Sequence, residues 1–282
     1  DGLHLGHQAV IRAALDSAAE GEGEAVVITF DPHPVRVLSP QNAPRLLASL
    51  PHQIQILGGL GVKNLLVIEF DREFADREAE DFVRDLCRVP VARICVGENW
   101  KFGRGRRGNV ELLEKLGAEL EFAVSGIPIL KIEGSAVSST RIREAVAAGD
   151  FEVAQKLLGR PYTVLGTVIE GRKLGRTIGF PTANLTVHSE QLPPTGVYAV
   201  RATGSGDSWT GVANLGYRPT VEGGKTKRLL EVHLFGLEHD IYGEDIEVEF
   251  VKFLRPEKKF DGVDDLKKQI ATDAEAAQAA FE

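Results

Sequence analysis

The sequence predicts an α/β protein in two parts, a doubly wound parallel sheet followed by an antiparallel β-barrel with a terminal helix. Three observations carry this. The first half alternates continuous apolar runs with helical patterns, as strands do when crossover helices cover both faces of their sheet. After about Leu158, strand-like runs follow one another without helices between them, and such a series closes most readily into a barrel or sandwich. A length of 282 residues is enough for two domains with a core each.

Taken in order, Val10, Ile11, Ala14, Leu15 and Ala18 mark one face of a first helix. Ala25 to Phe30 reads as a fully buried strand, ended by Asp31-Pro32-His33-Pro34. A helical stretch with Ile54, Leu57 and Leu60 precedes a second strand, Leu65 to Phe70. A charged helix from about Arg77 to Cys87 leads to the strand Ala92 to Val96. Ligands of parallel sheets bind at the carboxyl ends of strands, where Asp31 and Asn99 fall. Gly159 and Pro161 stop the last helix of this half, which sets the expected domains at 1–158 and 159–282. Strand patterns then cover Thr163 to Ile169, Gly196 to Thr203, Ser208 to Leu215, Arg228 to Phe235 and Asp245 to Leu254. A final helix carries Leu266, Ile270, Ala274, Ala277 and Phe281 on one stripe.

Composition narrows the function. A formal net charge of −8 argues against a nucleic-acid or membrane-surface binder. No apolar run approaches the roughly 18 residues of a membrane span, and no signal-peptide pattern is present. Cys87 and Cys95 lack metal-site spacing and read as reduced, buried thiols of a cytoplasmic protein.

Four stretches carry chemistry. In Gly171 to Asn184, GRKLGRTIGFPTAN, Gly171, Gly175 and Gly179 let the backbone turn and lie close to a ligand. Pro181 stiffens the exit. If that exit is extended, Thr182 and Asn184 point to one side. A hydroxyl and an amide oxygen are hard, neutral ligands, and Mg²⁺ carrying substrate phosphates takes only one or two protein ligands. His4-Leu5-Gly6-His7 stands at a helix start, where two imidazoles would donate to an anion. Ser138-Ser139-Thr140-Arg141-Ile142-Arg143 introduces a helix expected from Ile142 to Ala148, with a hydroxyl at its cap and Arg143 one turn in. Gly97 to Gly103, GENWKFG, leads into Arg104, Arg106 and Arg107, a basic loop that reads equally well as a solvated surface.

These strings resemble a known family. GRKLGRTIGFPTAN is similar to the signature of riboflavin kinases, whose glycine-rich loop covers ATP and whose PTAN segment holds magnesium. Gly196 to Ala199, Asn214 to Thr220, Leu230 to Leu234, Tyr242-Gly243 and Phe253 to Phe260 recur there in the same order. HxGH with SSTxxR resembles the nucleotidyltransferases that move AMP from ATP, and GENWKFG the branch that uses FMN as acceptor. Together they resemble the bacterial bifunctional riboflavin kinase/FMN adenylyltransferases, or FAD synthetases. The resemblance implies two reactions: riboflavin plus ATP gives FMN plus ADP in the barrel, and FMN plus ATP gives FAD plus pyrophosphate in the first domain. It implies Glu231 as the kinase base, sharing a strand face with His233 while Val232 and Leu234 point inward, and His4 and His7 at the adenylyl-transfer site. Nucleotide contacts fall on Gly6, Asn99, Ser139, Thr140, Arg143, Gly171, Gly175, Arg176, Thr182 and Asn184. Flavin contacts fall on Asp31 and Arg255, and Mg²⁺ on Thr182 and Asn184.

Two departures accompany the match. Phe235 to Glu238 lacks the acidic residue common after that strand, and in the family HxGH follows a first strand and a Gly-x-Phe-Asp-Gly turn, of which Asp1 and Gly2 remain. That strand is expected ahead of Asp1, with adenylyl transfer depending on it. Two further readings are a monofunctional enzyme with one decayed half and a nucleotide- or flavin-binding regulator. The presence of both motif sets argues against the first, and intact Thr182, Asn184, Glu231, His4, His7 and Arg143 argue against the second.

Overall fold

Residues 1–171, 175, 179–219 and 226–282 are described by the computed structural model. They divide into two units, 1–45 with 50–139, and 46–49 with 140–282.

In the first unit, helix α1 (Leu5–Glu20) packs Ile11 with Leu3, Leu57 and Val62. Strand β1 (Val26–Asp31) pairs in parallel with β2 (Asn64–Glu69), from Val26 opposite Asn64 to Asp31 opposite Glu69. Parallel strands need a long crossover. This one carries α2 (Pro34–Leu38), a 3-10 turn and α3 (Leu50–Gly59). Helices α4 (Arg72–Ala75) and α5 (Ala79–Leu86) lead to β3 (Arg93–Gly97). Strand β3 pairs in parallel with β4 (Ala123–Ile127) across helix α6 (Val110–Leu120). A second core around Phe82, Val83, Leu113 and Leu116 joins α5 to α6. Strands β5 (Lys131–Ile132) and β6 (Ser135–Ala136) form a minimal hairpin.

Two expectations for this unit need correction. The first strand is not fully buried: Val26 is 52% exposed and Ile28 36%. Among the described residues β1 and β2 form a two-stranded sheet of their own. Val27 and Leu65 reach the α1–α3 core, and Phe30 and Ile68 the second one, which leaves the other apolar positions open. The thiols are half-buried rather than buried, and desolvation raises the pKa of both. Sequence patterning also missed α6 and β4, where Gly117, Ser125 and Gly126 interrupt the apolar signal. Gly117 has a packing reason, since a Cβ there would press into the Phe122 carbonyl.

Helix α7 (Ser139–Ala148) starts at Ser139 rather than Ile142, so Ser139 and Thr140 belong to its first turn. Its Ile142 and Val146 are fully buried. Helix α8 (Phe151–Leu158) is capped by Asp150, which accepts from the Val153 amide at 3.0 Å. Gly159 ends it at φ 71°, the left-handed cap that glycine adopts without strain. Six strands follow: β7 (Thr163–Ile169), β8 (Ala183–Val187), β9 (Gly196–Gly204), β10 (Asp207–Pro219), β11 (Thr226–Leu234) and β12 (Asp245–Arg255). They close into a barrel in the order β10-β11-β8-β7-β12-β9. Closure leaves no unpaired edge. Val164, Leu185, Leu215, Leu230, Val232, Ile246 and Val248 fill the interior, each burial contributing about 1.5–3 kcal/mol before entropy is counted. Helix α9 (Val263–Gln278) covers the outside of β9, with Ala277 packed among Val197, Ala199 and Val212. Only β8 was not foreseen as a strand, and it is the one that positions the site.

Candidate active site

Register does most of the positioning in the barrel. Pairing of β11 with β8 sets Glu231 opposite Asn184, and pairing with β10 sets it opposite Asn214. Side chains alternate along a strand, so Glu231 and His233 share one face. Val232 and Leu234 turn into the core at 0% and 5% exposure, as the sequence pattern anticipates. Thr182, Asn184, Asn214, Glu231 and His233 line a single cavity of about 520 Å³. Arg255, Glu257, Leu266, Ile270 and Asp273 line it as well.

Gly171 and Gly175 lie against Asn184 and Thr182. A Cβ on Gly171 would overlap the Asn184 amide, and one on Gly175 would collide with the Phe180 carbonyl and stand 3.2 Å from Thr182 Oγ1. The Gly175 carbonyl accepts from the Phe180 amide at 2.8 Å. His233 Nδ1 donates to the Pro181 carbonyl at 2.7 Å, which ties the PTAN segment to β11. Asn184 is 5% exposed, so packing fixes its amide. One hydroxyl and one amide oxygen lining one cavity fit what Mg²⁺ takes when phosphates and water supply its remaining ligands. Arg176 lies outside the described residues.

The histidine motif is organised within one helical turn. His4 is 8% exposed and caps α1, its Nδ1 accepting from the His7 amide at 3.3 Å. The two rings stack with centroids 3.7 Å apart. Gly6 leaves room for that stack, because a Cβ there would lie 3.1 Å from His4 Cε1 and crowd the ring. Burial, reinforced by His4 alongside, pushes the His7 pKa down to about 2, so this imidazole is neutral at physiological pH. His7 Nδ1 is buried without a hydrogen-bond partner among the described residues. The expected pair of equivalent donors is thus refined. His4 Nδ1 is an acceptor and a helix cap, and the neutral His7 brings one N–H.

The remaining predicted residues are more dispersed. Ser139 Oγ donates to the Asp1 carbonyl at 3.0 Å, just ahead of the histidine turn. Asp31 ends β1, and Asn99 follows β3 in an exposed turn. Thr140 and Arg143 fall in the second unit, where burial lowers the Arg143 pKa and Tyr162 acts on its charge. The basic loop is anchored rather than loose: Arg104 and Arg107 both pair with Glu78, the latter at 3.7 Å.

Residues 158–281 match the family model described as riboflavin kinase, and residues 1–141 the one described as FAD synthetase. A bifunctional riboflavin kinase/FMN adenylyltransferase of Haemophilus influenzae is 42% identical over 284 residues, covering 100% of this chain and 92% of that protein. This chain belongs to that family. A bifunctional riboflavin kinase/FMN adenylyltransferase of Escherichia coli K12 is 38% identical, over 100% of this chain and 90% of its own length. A crystal structure from Streptococcus pneumoniae, described as a macrolide-efflux protein, matches with a TM-score of 0.81 at 31% identity, over 99% of this chain and 91% of that one. Among the described residues of the present chain, no helix is long and apolar enough to cross a membrane.

Within this riboflavin kinase/FMN adenylyltransferase chain, sequence reasoning missed part of the cavity wall. Asn214 and Glu257 lie in strings that match the family but carried no assigned role. Gly216 belongs with them, since a Cβ there would occupy the position of the Glu257 carboxylate. Asp273 was overlooked altogether. A signal existed: it shares the apolar stripe of Leu266, Ile270 and Ala277, and a carboxylate on a buried stripe needs a partner.

Proposed function

We propose that the barrel cavity phosphorylates riboflavin with ATP, and that residues 1–158 transfer the AMP group of a second ATP to the resulting FMN. The observation that carries the kinase reading is Glu231, set by strand register opposite Asn184 in the same cavity as Thr182. A primary hydroxyl is too weak an acid to ionise at neutral pH. Glu231 accepts its proton as the oxygen bonds to the γ-phosphorus and ADP leaves. Thr182 and Asn184 would hold Mg²⁺, whose chemistry when bound is to offset and orient the phosphate charges. Gly171 and Gly175 keep the backbone close to the phosphates, Arg176 is assigned to the same nucleotide, and Arg255 to the flavin.

In adenylyl transfer an FMN phosphate oxygen attacks the α-phosphorus of ATP and pyrophosphate departs. His7, neutral by burial, and His4 donate to the phosphate whose charge builds up. Gly6 admits the stacked rings, Asn99, Ser139, Thr140 and Arg143 hold the nucleotide, and Asp31 faces the flavin. The net charge of −8 gives nucleic acid and membranes no part in this reading, and a cytoplasmic location is proposed with it.

The test is to incubate pure protein with riboflavin, ATP and Mg²⁺ and to separate riboflavin, FMN and FAD. Both products are expected. Accumulation of FMN alone would leave only the kinase assignment standing, and no product at all would remove both.

A further inference from the structure

We propose that Asp273 positions riboflavin in the kinase cavity by holding Arg255. The proposal rests on the reading of that cavity as a riboflavin kinase site. Asp273 is 5% exposed on α9, and three donors converge on its carboxylate. Arg255 Nε donates to Oδ1 at 2.8 Å, and Nη2 donates to Oδ2 at 2.6 Å. Gln269, one turn earlier on α9, donates to Oδ1 at 3.0 Å. Two parallel bonds between a guanidinium and a carboxylate fix the plane of both groups.

Arg255 Nη1 also donates to the Pro256 carbonyl at 2.9 Å. A guanidinium has five N–H donors. Three are engaged in this way, and the other two have no acceptor among the described residues. Arg255 and Asp273 both line the cavity, and the guanidinium carbon lies 5.9 Å from the centre of the Phe260 ring. Asp273 thus fixes a planar donor group in the cavity wall.

Charge identifies what this group takes. Asp273 neutralises Arg255, so the pair offers N–H donors with no net positive charge. Glu231, Glu257 and Lys258 line the same cavity, so the two carboxylates outweigh the one ammonium and leave it net negative. A polyphosphate gains little from such a wall, whereas a neutral molecule rich in carbonyl acceptors is held by directed hydrogen bonds. Of the two kinase substrates, riboflavin has that chemistry. Asp273 touches no reacting atom; it acts through Arg255.

The experiment is steady-state kinetics of wild type and Asp273→Asn, with riboflavin and ATP varied separately. Asparagine keeps the shape but turns an NH₂ group toward the guanidinium. The KM for riboflavin should rise roughly tenfold or more, the scale of one charge-assisted hydrogen bond, while the KM for ATP stays within about twofold. A purely structural role would lower the melting temperature and the active fraction, and so kcat alone. That result, or equal rises in both KM values, overturns the proposal. Should Asp273→Asn fail to fold, Gln269→Ala loosens the same carboxylate, and an unchanged riboflavin KM in that variant is equally decisive. A wild-type protein that does not phosphorylate riboflavin would instead overturn the kinase reading itself.

Discussion

The kinase cavity and the histidine turn reach their geometry by opposite routes. In the barrel, Asn184, Asn214 and Glu231 come from three strands distant in sequence, and backbone register aligns them. A slip of one residue would turn Glu231 into the core and Val232 outward, so burial of the core enforces the site. In the first unit His4, Gly6 and His7 fall within one turn, held by a cap and a ring stack. Register leaves the Glu231 carboxylate half-buried on the cavity face of β11, turned away from the barrel core. Local packing desolvates His7 and holds it neutral. The barrel site is therefore broken by removing charge, and the histidine turn by removing a donor or adding a proton.

The largest expected effect follows from Glu231→Gln, which keeps size and hydrogen bonding but loses basicity. Riboflavin phosphorylation should fall by about 10²–10⁴, with riboflavin and ATP binding retained. Wild-type turnover in this variant would make Glu231 a surface carboxylate and remove the contrast. His7→Ala should reduce FAD formation from FMN by about 10²–10³, the cost of a positioned donor. Unchanged FAD synthesis would reduce the histidine motif to a helix start. Asn184→Ala should raise the KM for ATP and lower kinase turnover together, by roughly ten- to a hundredfold, the range seen when a metal site loses support. Normal kinetics at low Mg²⁺ would separate Asn184 from the metal.

The smallest effect concerns pH. The folded chain keeps His7 neutral down to about pH 2, while the unfolded chain protonates it near 6.5. Below pH 6.5 the unfolded state binds the extra proton, so this histidine lowers stability as pH falls and contributes nothing above that range. Urea unfolding of wild type and His7→Gln should diverge below pH 6.5 by at most about 1.4 kcal/mol per pH unit, with wild type losing more. Parallel pH profiles would mean that His7 titrates normally.

Much of both sites was legible in the sequence because their motifs are local. The PTAN string placed Thr182 and Asn184 on one side, and the alternation Leu230-Glu231-Val232-His233-Leu234 showed which residues turn inward. What escaped depends on long-range pairing. Ala183–Val187 is too short to announce a strand, yet it is the strand that sets Asn184 across from Glu231. Asp273 meets Arg255 only after α9 packs on the barrel, and no spacing rule links a helix residue to the end of a strand. Protonation escaped because burial comes from packing that the motif does not encode: His4 and His7 read as two donors, and desolvation makes His7 neutral while His4 caps the helix.

On the proposed reading the kinase and adenylyl-transfer sites of this chain work independently of each other. The most direct test of this claim mixes Glu231→Gln protein with His7→Ala protein and supplies riboflavin, ATP and Mg²⁺. Alone, the first should leave riboflavin unconverted and the second should stop at FMN. Together they should make FAD, because FMN released by one variant is the substrate of the other. A mixture that makes no more FAD than either variant alone would contradict the claim.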